Sequence, residues 1–96
     1  MNDVPENMPK VERKFTVQNK LGLHARPAAL LVRTANGFRS DVTVKKGRQK
    51  VNGKSIMGIM TLAAQQGSGI TLIIEGPDAA EAMEELARLI EGNFGE

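Results

Sequence analysis

Hydrophobic and polar positions alternate over residues 14–19, where Phe15 and Val17 are separated by Thr16 and followed by Gln18. Period two marks a half-buried strand. Residues 20–23 break the pattern at Gly22, which predicts a loop with that glycine as its pivot. Ala28, Leu31, Val32 and Ala35 then recur at helical spacing. Asn36-Gly37 predicts the helix stop, because both residue types tolerate positive φ. Period two returns over residues 38–45, with Phe38, Val42 and Val44 apolar. Lys46-Gly47 predicts a turn and residues 49–52 a short return strand. Ser55 heads an apolar run, 56–62, read as one short helix. Gly67 and Gly69 flank a turn before a β-branched strand, 70–75. Gly76-Pro77-Asp78 opens a last helix with Ala79, Ala82, Met83, Leu86, Leu89 and Ile90 on one face. Asp78 and Glu81 fit a capping box with Asp in place of Ser or Thr.

Strand, helix, strand, strand, short helix, strand, helix predicts an α+β fold. Its antiparallel sheet would carry helices on one face and meet water on the other. No internal repeat interrupts this order. The start of the chain is polar, holds Pro5 and Pro9 and lacks periodicity. Residues 1–12 are therefore read as a flexible tail and 13–96 as a single domain.

Composition narrows the choice of function. A chain of 96 residues makes one domain, so a site must lie at the surface or in a shallow groove. No apolar run approaches the ~20 residues of a membrane span. The first residues also lack the apolar segment of a signal peptide. A cytoplasmic monomer without direct membrane contact is expected. Thirteen basic and eleven acidic side chains leave a net charge of +2, a weak field. Three Phe with no Trp or Tyr offer little for bases to stack on, so direct nucleic-acid binding is disfavoured. Cysteine is absent and histidine occurs once. That excludes disulfides, thiolate metal sites and His-rich metal sites, and no metal or cofactor is expected.

The single histidine, His24, stands in Gly22-Leu23-His24-Ala25-Arg26-Pro27, between a strand and a helix. A helix start presents unpaired N–H groups and a partial positive charge, which favour an anion. Arg26 adds a planar fork suited to phosphate. Pro27 is tolerated in a first turn, and the residue before proline avoids helical angles, so Arg26 is expected to be only partly helical. No Asp or Glu lies close in sequence to serve the ring as a catalytic partner. Two readings follow. In one, His24 merely caps the helix and the protein is a small anion-binding or interaction module. In the other, a nucleophilic imidazole beside an anion pocket carries a phosphoryl group transiently.

Ser55 before an apolar helical run is an ordinary N-cap, and equally a convenient phosphorylation site. The run behind it is too apolar for every residue to face one core. Part of Ile56, Met57 and Met60 must face outward, where Met adapts to several partners. Leu30 on the preceding helix is assigned to the same partner-binding set.

Leu21-Gly22-Leu23-His24-Ala25-Arg26-Pro27-Ala28-Ala29, with Lys54-Ser55-Ile56-Met57-Gly58, resembles the histidine-containing phosphocarrier (HPr) family of the bacterial phosphoenolpyruvate-dependent sugar phosphotransferase system. The likeness runs from about residue 14 to 91. It implies an HPr-like open-faced β-sandwich, four antiparallel strands with three helices packed on one face. It implies that His24 takes a phosphoryl group on Nδ1 from phosphorylated enzyme I and passes it to sugar-specific A-domains. Arg26 corresponds to the phosphate-facing arginine. Ser55 corresponds to the regulatory serine, target of an HPr kinase/phosphorylase, and a transcriptional regulator is a further implied partner. Such a protein is modified by partner enzymes and is not itself an enzyme. The nitrogen-related branch shares the first segment and usually lacks the Lys-Ser-Ile-Met stretch, so residues 54–58 favour the sugar or carbon-regulation branch. A purely regulatory paralogue is the alternative. The tail before Lys14 is longer than the family usually carries, and Gly53 stands where a larger residue is common, which is expected to loosen the approach to Ser55.

Overall fold

The computed structural model describes residues 8–96. Strand β1 (Lys10–Thr16) starts four residues before the alternation predicts and takes in three residues assigned to the tail. Of the rest of the expected tail, residues 8 and 9 are described and residues 1–7 lie outside the described residues. Arg13 masks this early start, because it breaks the apolar alternation between Val11 and Phe15. Its guanidinium lies 5.0 Å from the centre of the Phe15 ring and donates to Glu91 Oε2 at 2.8 Å. The charge thus stays wet while the stem covers apolar surface.

Helix α1 (Ala25–Asn36) buries Pro27, Ala28, Leu31, Val32 and Ala35, the predicted face with Pro27 added. It ends where Asn36-Gly37 predicts, although not by the expected means. Gly37 keeps φ at −76°, and its N–H and that of Phe38 donate to Thr34 and Ala35. Strand β2 is Asp41–Lys46, three residues shorter at its start than the periodic pattern. Residues 38–40 form a loop instead. Asp78 holds that loop: its carboxylate accepts from Arg39 N at 2.9 Å, Ser40 N at 2.9 Å and Ser40 Oγ at 2.6 Å. The predicted capping box is therefore absent. Asp78 does precede α3 (Ala79–Glu91), but its side chain caps nothing there. These donors hold the Asp78 carboxyl down at about 2, the Ser40 hydroxyl first among them and the Arg39 N–H next.

Strand β3 (Gln49–Asn52), helix α2 (Ile56–Thr61) and strand β4 (Gly69–Glu75) complete the fold, with one 3-10 turn, Asn93–Gly95, after α3. The four strands lie in the order β1-β4-β2-β3, and every neighbour pair is antiparallel. Val42, Val44, Ile70, Leu72 and Ile74 point to the helical side and join Leu31, Ile59, Leu62 and Leu86 in one core. This is the open-faced sandwich: a four-stranded antiparallel sheet with three helices on one side. On its outer face Lys14, Thr71, Lys45 and Lys50 stand in one cross-strand row.

Gly53 corrects another expectation. It is buried, and its N–H donates to Val42 O at 2.7 Å. A Cβ there would stand 2.4 Å from Val42 Cγ1. The glycine permits a close approach that anchors the segment before Ser55 and does not loosen it. Lys54 Nζ adds a bond to Phe38 O at 2.8 Å.

Candidate functional site at the start of helix α1

The loop between β1 and α1 is held in place by backbone. Leu23 N donates to Ala64 O at 2.9 Å. Gly22 takes φ of +69°, and a Cβ there would fall 2.3 Å from the same carbonyl. Left-handed backbone and the lack of room both require glycine. Asn19 is 4% exposed. Its Nδ2 donates to Asn93 O at 3.0 Å and to Glu96 Oε1 at 2.8 Å.

His24 occupies the N-cap position of α1 in extended backbone conformation, and its side chain makes no capping bond. The bland reading of this residue as a helix cap therefore fails. Its ring turns outward, and Nε2 lies 3.1 Å from Glu96 Oε2. Arg26 lies in the first turn, fully within the helix, contrary to the expectation that Pro27 would leave it partly helical. Its side chain is exposed. His24, Arg26, Lys20, Leu21 and Glu96 share one open cleft. Within it the Glu96 carboxyl lies below its ordinary range. The hydrogen bond from Asn19 is the main cause, the adjacent His24 ring and the Arg26 charge add to it, and partial burial opposes it.

The first-turn N–H groups of Ala25 and Arg26 donate to no acceptor among the described residues, and Pro27 has no N–H to offer. Two free donors, an arginine and an aromatic nucleophile on one cleft suit a phosphoryl group. They provide no second base or metal set for turnover. Among the described residues no cluster of His, Cys, Asp and Glu could hold a metal ion, and no helix is long and apolar enough to cross a membrane.

Ser55 behaves differently. Its Oγ accepts from Gly58 N at 3.0 Å, so it caps α2. On α2, Ile59 is buried, while Met57 is 73% exposed and Ile56 and Met60 are 43% and 42% exposed. The expected division of that helix between core and solvent is present. Leu30 is half-buried and packs against the core, so it adds at most an edge to the apolar surface. Leu21, not singled out by its spacing, is 76% exposed on the His24 cleft. Helices α1 and α2 pack against each other, and the segment following α2 supplies the Ala64 carbonyl that seats the His24 loop.

Sequence reasoning missed Asn19, Leu21 and Glu96. Glu96 is 72 positions from His24, so no local pattern could place it. Leu21 is an apolar residue in a short loop held by a left-handed glycine, a setting in which exposure was readable in principle.

Fold and site together define a small open-faced sandwich domain that presents an imidazole and an arginine at an open helix start. The model of the PTS HPr component phosphorylation site matches residues 11–92, and the chain belongs to that family. It is 56% identical over 81 residues to the HPr-like protein Crh of Halalkalibacterium halodurans, covering 84% of this chain and 96% of that protein. It is 50% identical over 86 residues to the phosphocarrier protein HPr of Neisseria meningitidis, covering 90% and 97%. Among solved structures, HPr from Thermoanaerobacter tengcongensis superposes with a TM-score of 0.87 at 52% identity, over 90% of this chain and 97% of that one. Members of the family are phosphocarriers of the phosphotransferase system and not enzymes.

Proposed function

We propose that His24 accepts a phosphoryl group on Nδ1 from phosphorylated enzyme I and hands it to sugar-specific A-domains. The observation that carries this reading is the uncapped start of α1. The only imidazole of the chain stands beside two unfilled N–H donors. Nε2 faces a carboxylate, so Nδ1 is the nitrogen left to attack. Arg26 receives the phosphate oxygens on a planar fork. The alternative of a plain anion-binding module uses the same donors and leaves the exposed ring without a task.

The exposed faces of Ile56, Met57 and Met60, with Leu21 and the edge of Leu30, form the docking surface for both partner classes. Ser55 is the regulatory position, modified by an HPr kinase/phosphorylase, and the phosphoserine form meets a transcriptional regulator. In this reading the protein works in the cytoplasm as a monomer. A purely regulatory paralogue is the second reading, favoured by the 56% identity to an HPr-like protein.

Incubation with enzyme I and phosphoenolpyruvate, followed by intact mass, tests the proposal. One acid-labile, alkali-stable phosphate is expected. Label that persists in His24→Ala overturns the assignment. Onward transfer to a sugar-specific A-domain separates the carrier from the regulatory paralogue.

A further inference from the structure

The carboxylate that meets the His24 ring comes from the other end of the chain. After α3 the backbone folds back through Asn93 and Phe94, with φ of +55° and +56°. Asn tolerates the left-handed region, whereas Phe rarely adopts it. Phe94 is held there by burial, at 3% exposure. Asn19 fastens this turn to the β1–α1 loop by donating to both Asn93 O and Glu96 Oε1. The second oxygen of Glu96 is thereby aimed at His24 Nε2. A strained turn, a buried amide and a charged side chain all converge on one ring nitrogen. An ionised carboxylate only accepts hydrogen bonds, so the proton between them sits on Nε2.

We propose that Glu96 is a positioning residue for phosphoryl carriage: its carboxylate holds the proton on His24 Nε2, which keeps the lone pair on Nδ1 and bars phosphorylation of Nε2. This rests on the carrier reading above and adds to it the choice of ring nitrogen. The Nδ1 lone pair attacks phosphorus, and the new N–P bond forms as the donor's N–P bond breaks. The departing donor nitrogen keeps that electron pair. The Nε2 proton stays in place, so the ring becomes a phosphoimidazolium whose positive charge lies against the Glu96 carboxylate. Onward transfer breaks the N–P bond, returns the electron pair to Nδ1 and again moves no proton. Asn19 holds Glu96 at its other oxygen, and its remaining acceptor, Oδ1, is buried without a partner among the described residues. That is consistent with an amide oriented to serve Glu96 rather than its own full set of bonds. The lowered pKa of Glu96 keeps its carboxyl ionised, and so an acceptor, at neutral pH.

The test uses the full chain with potassium phosphoramidate, a small donor that needs no docking surface. The wild type should carry its phosphate on Nδ1. In Glu96→Ala the share on Nε2 should rise roughly tenfold, the scale of one lost charge-assisted hydrogen bond. The ring Nε2–H signal in a 15N-edited proton spectrum should be visible in the wild type and lost to solvent exchange in the variant. Glu91→Ala removes a carboxylate that pairs with Arg13 and should leave both readouts unchanged. An equal Nδ1 to Nε2 distribution in wild type and Glu96→Ala, or an unchanged ring proton, overturns the assignment. So does an equal shift in Glu91→Ala. Wild type that takes phosphate on Nδ1 from phosphoramidate but none from enzyme I would overturn the carrier reading and leave the role of Glu96 standing.

Discussion

Helices α1 and α2 begin alike in backbone and differently in chemistry. His24 and Ser55 both precede their helix in extended conformation. The Ser55 hydroxyl turns back to take the Gly58 N–H. The His24 ring turns away and leaves the first donors of α1 open. A helix start closed by its own side chain gains stability. One left open keeps donors for an incoming anion, and the cost of leaving them unpaired is borne by water at an exposed surface. The difference separates a residue that closes its own helix start from one that leaves its helix start open.

The sharpest way to break this contrast is to remove each side chain. His24→Ala should abolish phosphate uptake from enzyme I, whereas Ser55→Ala should retain it, as read by intact mass after equal incubation. Equal uptake in the two variants would erase the distinction. The next effect is on transfer rate. Phosphorylation of Ser55 adds a charge of about −1.5 to −2 at the head of the helix that bears the exposed Met57. In the proposed function enzyme I brings an anionic phosphohistidine to the neighbouring loop. Transfer to His24 should slow several-fold at low salt and recover partly at high salt. Stopped-flow or quench-flow rates on both forms check this, with circular dichroism expected to be unchanged.

Stability should reverse the order of the two residues. Ser55→Ala removes a cap and should cost about 1 kcal/mol. His24→Ala removes no cap and should stay within about ±0.5 kcal/mol, as surface changes do. Urea unfolding of both variants measures the pair. A larger loss for His24→Ala would mean that its link to Glu96 supports the fold.

Much of this was legible along the chain because the strongest signals are local. The apolar face of α1, the β2–β3 turn at Gly47, the split face of α2 and the His24 segment all follow from spacing over a few residues. The failures have one physical source, long-range pairing that overrides a local pattern. Arg13 hid the start of β1 because its charge is answered by Glu91. Phe38 and its neighbours alternate like a strand, yet the Phe38 N–H closes back on Ala35 and those of Arg39 and Ser40 are taken by Asp78, 39 and 38 positions away. Glu96 enters the site in the same way. The resemblance implied which ring nitrogen would carry the group, while the carboxylate beside the other nitrogen, Nε2, emerged only when the C-terminal turn was in place.

Asp78 offers the smallest and most specific effect. It stands at a third helix start, and its carboxylate is spent sideways on the loop that leads into β2. Ser40, which supplies two of the three donors, is 1% exposed. The carboxyl titrates at about 2 in the fold, against 3.8 for an ordinary aspartate. The folded state thus prefers the ionised form more strongly than the unfolded chain does. The stability this contributes is complete above the unfolded value and declines as pH falls below it, until it is lost near the folded value. Between about 4 and 2 the wild type should lose stability as Asp78 takes up its proton. Asp78→Asn cannot take up that proton. It should start lower at neutral pH, because one amide oxygen replaces two carboxylate oxygens for three donors, and it should lack this component of the acid decline. Urea midpoints at pH 7, 4 and 2.5 give the comparison. Other carboxylates contribute to both proteins, so the quantity to read is the gap between them. A gap that narrows toward pH 2.5 fits the Ser40 and Arg39 bonds as the cause; a constant gap would show that Asp78 anchors the loop without its charge.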